Sequence, residues 1–377
     1  MRALCLYAGP AALRWIARNG LGPQDVATVP GAAGGPKGLI LGPLDRWLFG
    51  EWLSTSSQPI DLVGASIGAW RMASACLDDP VKAFKRLETD YIHQHYESEP
   101  GKKRPSPAHV SALFGRSLQE FYGGRIAEVL SHGRYRLHVM TSRGRHLLRR
   151  EQGLRTTIGY LGAVVTNTVI RKAMGAWLER VVFSTPGASL PFSIRDYRTR
   201  QVRLGEQNFL AVLQASCSIP FVLQAVHDID GAPAGAYWDG GITDYHLHLD
   251  YASMRSEPGV ESYGDAAPDA ANAGAGGLVL YPHFQSAVVP GWLDKALPWR
   301  HKATHFLDST VLLAPNPEWV KTLPNGKLPD RKDFVHYGRD LAGRVKAWST
   351  AASASEQLAD EFAQWLRAPD ARQLLAL

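Results

Sequence analysis

The chain has 377 residues, of which 45% are hydrophobic and 20% are charged, and 41 Lys and Arg against 35 Asp and Glu give a net charge of +6. This composition excludes a disordered chain, a collagen and a coiled coil, and no apolar run reaches the roughly 18 residues of a membrane-spanning helix. Three widely spaced cysteines form neither a disulfide framework nor a zinc site. Because no signal peptide is evident, we expect a cytoplasmic protein, with export by a dedicated system left open.

The predicted elements of the first eighty residues alternate between helix and strand. They are, in chain order, a helix at 11–19, a β-prone run at Asp25–Val29, a helix at Leu39–Leu53, a strand at Ile60–Val63 and a helix at Ala69–Leu77. A Gly-rich loop follows the β-prone run and a tight turn follows the strand. This order is typical of a βαβ unit with parallel strands.

The later predicted elements are less regular. Helices are predicted at Pro80–Tyr96, Val164–Val182, Arg339–Trp348 and Ser355–Leu366, and strands at Tyr135–Thr141, Val202–Leu204, Tyr237–Trp238 and Gly277–Tyr281. The helix at Val164–Val182 is amphipathic, and we expect its apolar stripe to face the core. The Gly- and Ala-rich stretch at 256–276 is predicted to be a mobile loop.

Some of the basic residues are clustered, at Lys102–Arg104 and at Arg143–Arg150. Such clusters contact anionic surfaces, although most charge runs are simply solvated. No basic motif has the interleaved aromatic residues of a nucleic-acid module. We therefore expect no nucleic-acid partner and leave peripheral contact with an anionic membrane open.

A G-x-S-x-G motif lies at Gly64–Gly68, between a predicted strand and a predicted helix. This is the context of a nucleophile elbow, in which a sharp turn holds the serine hydroxyl clear of the sheet. Gly64 and Gly68 are then needed because neighbouring backbone approaches closely. The following helix points its N-terminus at Ser66, which favours a developing negative charge.

The Gly-rich loop Ala33–Gly38 follows one predicted strand and leads into a helix. Its backbone N–H groups can converge on the oxyanion of a tetrahedral intermediate. The loop is not a P-loop, because Pro36 precedes Lys37 and Gly38 follows it where Ser or Thr is required. The dinucleotide fingerprint G-x-G-x-x-G is also absent.

A third motif is Asp239 followed by Gly240 and Gly241, at the end of a β-prone pair. Its aromatic neighbour Trp238 can desolvate the carboxyl and raise its pKa, which suits a general base. Asp-Gly is also a common turn signal, so this motif alone is weak.

Together, the Gly-rich loop, the G-x-S-x-G motif about 30 residues later and the distant Asp-Gly-Gly resemble the patatin-like phospholipase family. A fourth block, Ala215–Pro220, is similar to the small-residue block that precedes the family's Asp. The resemblance covers Val26–Tyr281 as a pattern of motifs, and it departs from the family at Ala33, where a glycine is usual.

The resemblance implies a three-layer α/β/α fold with a mostly parallel central sheet and a Ser–Asp dyad that needs no His and no cofactor. It assigns Ser66 as nucleophile and Asp239 as base, and it gives the chain a lipid or other ester substrate. The implied oxyanion loop is Gly34, Gly35, Pro36, Lys37 and Gly38. The catalytic domain is expected at 1–285 and a mainly helical C-terminal extension at 286–377, which can pack on the same domain.

The histidines leave alternatives open. Ser66, Asp239 and His283 run in the chain order of an α/β-hydrolase triad, and His246 lies close to Asp239 in sequence. His246 and His248 also suggest a metal, but no third and fourth ligand at zinc spacing is present, so we expect no metal. A non-catalytic protein that binds lipid or a partner is the third alternative.

Overall fold

The computed structural model describes residues 1–97, 99–102, 104–251 and 277–377. Lys103 of the first basic cluster and the predicted loop at 256–276 lie outside these ranges. Within the described residues, no helix is both long and apolar enough to cross a membrane.

The described residues form one sheet of eleven strands. The strands are β1 (Leu4–Ala8), β2 (Val26–Gly31), β3 (Ile60–Ala65), β4 (Tyr135–Gly144), β5 (Leu178–Ser184), β6 (Thr199–Arg203), β7 (Val226–His227), β8 (Ala236–Asp239), β9 (Leu278–Pro282), β10 (Thr310–Pro315) and β11 (Leu375–Ala376). They are arranged in the order β11-β1-β10-β9-β2-β3-β4-β5-β6, and β8 pairs with β4 and β7. The five strands from β10 to β4 are mutually parallel.

Helices connect most of these strands. They are α1 (Pro10–Asn19), α2 (Gly42–Trp47), α3 (Ile67–Ala75), α4 (Pro80–His93), α5 (Pro107–Tyr122), α6 (Ile126–Leu130), α7 (Gly153–Val169), α8 (Phe209–Cys217), α9 (Pro317–Val320), α10 (Asp333–Tyr337), α11 (Leu341–Ala354) and α12 (Glu356–Leu366). Short turns of 3-10 and π geometry flank α2, so the predicted helix at Leu39–Leu53 is helical throughout. The chain is therefore an α/β protein with a mostly parallel central sheet.

The inner strands are apolar along their whole length, which is typical of parallel strands covered on both faces. Every residue of β3, β9 and β10 is buried. Helix α3 packs on β2, β3 and β4, and α1 packs on β1 and β10. The sheet centre is thus rigid, and the turns at its strand ends are held in place from several sides.

The chain beyond residue 285 belongs to the same sheet. Strand β10 lies between β1 and β9, parallel to β9 and antiparallel to β1. The last helices, α11 and α12, agree with the predicted helical character of this region. The region at 286–377 is therefore not only helical, because it supplies an inner strand of the same sheet as residues 1–285.

The prediction of one helix at Val164–Val182 is wrong. Helix α7 ends at Val169, a 3-10 turn follows at Arg171–Ala176, and β5 begins at Leu178. The segment of β5 is buried on both faces, so its apolar residues match helical spacing by coincidence. Val165 and Val169 are 58% and 74% exposed and do not face the core.

A buried arginine ties β5 to the chain that follows the Asp-Gly-Gly motif. Arg180 has no exposed surface and donates two hydrogen bonds to each of two carboxylates, at 2.6 and 2.8 Å to Asp244 and at 2.9 and 3.0 Å to Asp196. Such bidentate pairs fix the relative position of the groups that they join. The loop after Gly241 is therefore anchored to the sheet.

We expect Arg180→Met to lower the free energy of unfolding by about 3–5 kcal/mol, because it leaves the buried carboxylate of Asp244 and the mostly covered one of Asp196 without their main partner. Urea denaturation of the two proteins measures the difference. Arg150→Met is the matched control, since Arg150 pairs with Asp228 at 2.6 Å on an exposed surface, where loss of the pair costs at most about 1 kcal/mol. Equal losses in the two variants would contradict this role of Arg180.

Candidate active site

Ser66 occupies a strained turn between β3 and α3. Its φ is 56° and its ψ is −129°, a conformation that residues with a Cβ rarely adopt. A Cβ on Gly64 would lie 2.4 Å from the Cα of Ala69, and one on Gly68 would lie 1.8 Å from the carbonyl oxygen of Gly31. Both glycines of the motif are thus required by close backbone contact, as the elbow predicts.

Strand β4 brings the elbow and the Asp-Gly-Gly motif together. Strand β3 runs parallel to β4 and ends with Ala65 opposite Met140. Strand β8 runs antiparallel to β4 and ends with Asp239 opposite Thr141, the next residue of β4. The two strands therefore end beside consecutive residues of β4, and Ser66 meets Asp239.

The Ser66 hydroxyl donates a hydrogen bond of 2.7 Å to Oδ2 of Asp239. Oδ1 of the same carboxylate accepts the N–H of Gly241, also at 2.7 Å, which leaves Oδ2 directed at the hydroxyl. Both side chains are buried. Burial raises the pKa of Asp239, against the opposing effects of the Arg331 guanidinium and of these two hydrogen bonds.

Residues of the block Ala215–Pro220 form hydrogen bonds with the backbone of both Ser66 and Asp239. The Ser66 N–H donates to the hydroxyl of Ser216 at 3.0 Å, and that hydroxyl donates to the carbonyl of Met140 at 2.7 Å. The carbonyl of Ser218 accepts the N–H of Asp239 at 2.9 Å. Ser216 was not among the predicted site residues, although it lies in a block that the resemblance had already marked.

The predicted oxyanion loop lies against the Asp-Gly-Gly motif. Gly35 has a φ of +57° and opens the 3-10 turn at Gly35–Leu41, so the N–H groups of Gly34 and Gly35 have no acceptor within that turn. A Cβ on Gly34 would lie 2.4 Å from the Phe284 ring, and one on Gly241 would lie 2.7 Å from the Cβ of Ala33.

Both glycines of the Asp-Gly-Gly motif are required by close packing. Gly241 packs against the Gly-rich loop at Ala33, and Gly240 packs against strand β4. A Cβ on Gly240 would lie 2.2 Å from the carbonyl oxygen of Met140. The loop itself is held by the N–H of Ala33, which donates to the carbonyl of Tyr245 at 2.9 Å.

A cavity of about 170 Å³ opens beside Asp239. Gly34, Lys37 and Gly241 line it, as the motifs predict, together with residues that no motif had singled out. Ala33, the first residue of the Gly-rich loop, also lines the cavity, and the additional lining residues are Tyr245, Trp292, Lys295, Asp330, Arg331 and Lys332. The last five come from the region after 285, so the wall of the site is completed by the C-terminal part of the chain.

His283 does not lie between Ser66 and Asp239. Its Nδ1 bonds to the backbone of Gln285, and its ring packs on Phe284 and, edge-on, on His246. Burial lowers the pKa of His283 to about 3 and lowers the pKa of His246 well below its usual value. Both histidines are neutral packing residues at ordinary pH.

His246 and His248 do not face a common ligand. Nδ1 of His246 accepts the N–H of Val289 at 3.0 Å, whereas Nε2 of His248 lies 2.9 Å from the hydroxyl of Thr304. Across residues 1–97, 99–102, 104–251 and 277–377, no three His, Cys, Asp or Glu side chains are grouped to hold a metal.

The chain matches no protein-family model, and no curated protein matches its sequence.

We expect Ser66→Gly to be more stable than Ser66→Ala by about 1 kcal/mol, because glycine adopts a positive φ without strain. Both variants lose the hydrogen bond to Asp239, so the difference between their free energies of unfolding reports the backbone strain at residue 66. Thermal or urea unfolding measures it. Greater stability of the alanine variant would show that the turn at Ser66 is not strained.

Proposed function

We propose that the protein is a serine esterase of the lipid acyl hydrolase type, with the Ser–Asp dyad and three-layer α/β/α arrangement of the patatin-like phospholipases. The observation that carries the proposal is the 2.7 Å hydrogen bond from Ser66, on its positive-φ turn, to the buried Asp239. A structural Ser–Asp contact would need neither the strained backbone nor the adjoining cavity. The mostly parallel sheet and the close contact of all four motifs also support the proposal.

In the proposed reaction, Oγ of Ser66 attacks the ester carbonyl carbon while its proton passes to Oδ2 of Asp239. The N–H groups of Gly34 and Gly35 hold the negative oxygen of the tetrahedral intermediate, a contact that contributes about 2.7–4 kcal/mol per donor in other enzymes. The intermediate collapses to an acyl-enzyme, and the departing alcohol takes the proton from Asp239.

Hydrolysis of the acyl-enzyme repeats these steps with water. Asp239 takes a proton from the water as it attacks the acyl carbon, and the second intermediate collapses to release the acid. The proton returns to Ser66. A carboxyl whose pKa is raised by burial is a better base for both steps than an ordinary aspartate, because its proton affinity is closer to that of the reacting groups.

We expect Ser66→Ala and Asp239→Asn each to lower kcat/KM for p-nitrophenyl esters by about 10⁴-fold or more. His283→Asn should retain most of the activity, since His283 contacts neither residue of the dyad. A fluorophosphonate probe should label the wild type and His283→Asn, but not Ser66→Ala. Collapse of the rate in His283→Asn with a folded protein would favour a Ser–His–Asp carboxylesterase, and no turnover by the wild type would favour a binding protein.

Peripheral contact with an anionic membrane is the second part of the proposal, and the exposed face of α7 supports it. Large apolar residues recur on this helix at intervals of three or four and are 48% to 75% exposed: Leu154, Ile158, Leu161, Val165 and Val169. Contiguous apolar surface of this kind marks a docking site on a soluble protein. Phe221 is a further exposed apolar residue near this helix, and its ring lies 6.1 Å from that of Tyr160 on the inner side of α7.

Charge favours a lipid surface as the occupant of this face. The chain from Arg145 to Lys172 contains six Lys or Arg residues and one acidic residue, Glu151. Two of the six are ion-paired, Arg150 with Asp228 and Arg171 with Asp244 and Asp294, and the other four supply the positive charge. An apolar helical face with basic residues at both ends is typical of helices that lie in the interface of an anionic bilayer. The second basic cluster, Arg143–Arg150, leads directly into this helix.

We expect the double variant Leu161→Ser, Val165→Ser to lower partition onto vesicles rich in anionic lipid by about ten-fold, because two apolar side chains no longer enter the bilayer. Vesicle sedimentation measures the partition. Leu375→Ser is the control, since Leu375 is half exposed on the edge strand β11. Equal binding to neutral and anionic vesicles, at low and high salt, would refute the electrostatic part of this proposal.

A further inference from the structure

Three cationic side chains from separate parts of the chain line the cavity beside the dyad. Lys37 belongs to the Gly-rich loop, Lys295 to a 3-10 turn at Trp292–Ala296, and Arg331 to the segment before α10. The Arg331 side chain reaches over the loop, so a Cβ on Gly35 would lie 3.2 Å from its Nε. With Lys332, the neighbour of Arg331, the cavity thus brings together four positive charges at the place where an ester would bind.

These cations lack carboxylate partners. Among the described residues, none of the three forms an ion pair within 4.0 Å. The other carboxylate of the cavity wall, Asp330, bonds to Lys327 at 2.9 Å, and Asp239 is held by Ser66 and Gly241. Nζ of Lys295 instead lies 3.8 Å from the centre of the Tyr245 ring.

The side chains also repel one another. Loss of water around the ammonium, followed by the charges of Arg331 and Lys37, lowers the pKa of Lys295 to about 8. Lys295 is an exposed residue, and its Nζ lies 5.4 Å from the centre of the Trp292 ring as well as close to Tyr245. The cations that line the cavity outnumber its two carboxylates, Asp239 and Asp330, so an anion that enters the cavity stabilises the cluster.

We propose that Lys295 and Arg331 form a subsite for an anionic group, a phosphate or a carboxylate, beside the scissile ester. The inference rests on the proposed esterase function and narrows it to acidic esters. Arg331 and Lys295 supply charge-assisted hydrogen bonds, which are stronger than neutral ones and direct such a group to a fixed position. Lys37 adds positive charge from the loop side of the same cavity.

The test compares matched pairs of esters that differ in one anionic group. In the first pair the charge lies on the alcohol side, as in the butyryl ester of glycerol phosphate against the butyryl ester of glycerol. In the second it lies on the acyl side, as in mono-p-nitrophenyl glutarate against its methyl ester. We expect the anionic member of at least one pair to be preferred by about ten-fold in kcat/KM, mainly through KM.

Lys295→Met and Arg331→Met should each remove most of that preference, measured as the ratio of kcat/KM for the anionic ester to kcat/KM for the neutral ester, whereas Lys295→Arg should keep it. Arg331→Met should also slow the neutral ester, because Arg331 lowers the pKa of Asp239, so the ratio is the readout. Arg339→Met is the control, because Arg339 is exposed on the same segment and does not line the cavity. Equal rates within both pairs would overturn the subsite. So would an equal loss for neutral and anionic esters, since the cations would then act on the transition state of every ester.

Failure of the proposed function gives a different result. If the wild type hydrolyses no ester, the esterase proposal fails. Calorimetric titration with inorganic phosphate then tests whether the anion subsite exists. Weakening of that binding by about ten-fold in Arg331→Met, with no change in Arg339→Met, would support an anion site without hydrolysis. Undetectable phosphate binding by the wild type would overturn the inference.

Discussion

The arrangement of the site depends on one backbone pairing. Strand β4 is long enough to pair with β3 along its first part and with β8 beyond the end of β3. Because β3 is parallel to β4 and β8 is antiparallel, both reach their carboxyl ends at the same point. The carbonyl of Met140 at this point also accepts the hydroxyl of Ser216, which in turn accepts the N–H of Ser66. The dyad is thus a consequence of sheet register, and its distance is set by backbone geometry.

The parts of the site that depend on local backbone could be predicted from the sequence. The elbow at Ser66 and the turns at Gly34 and Gly240 need glycines at defined positions, and those positions are visible as short motifs. The βαβ unit and most strands were predictable for the same reason, since period and turn residues are local signals. The Ser–Asp contact itself could be expected only through resemblance, because it joins residues 173 positions apart.

The errors and omissions have a common cause. The end of α7 and the strand β5 are both rich in valine, although the valines of α7 are exposed and those of β5 are buried. The spacing of apolar residues alone does not show which of them lie in the core. The position of β10 in the sheet could not be predicted, because its pairing with β1 and β9 joins residues that are far apart in the sequence. Lys295 and Arg331 were not predicted as site residues, because a single Lys or Arg outside any motif gives no sequence signal. Long-range packing alone brings them to the cavity beside Asp239.

The electrostatics of the site contain two opposing effects. Burial destabilises the charged form of Asp239 and increases its affinity for a proton, whereas Arg331 stabilises the charged form. A carboxylate with neither influence would be a weak base, and one with burial alone would be protonated and unable to accept the Ser66 proton. Arg331 therefore opposes the effect of burial on the Asp239 carboxyl, whose pKa still lies above its usual value. In the proposed reaction, this opposing charge favours the ionised form that accepts the Ser66 proton.

The proposed membrane face and the proposed base are linked by direct packing. The inner side of α7 presents Tyr160, whose ring lies 6.1 Å from that of Trp238, the residue before Asp239. The outer side of the same helix carries the exposed apolar residues. A protein seated on a bilayer by this face would therefore hold β8 close to the lipid surface. Positive charge along the helix and around the cavity would then favour the same anionic surroundings, so that docking and substrate choice follow from a single electrostatic preference.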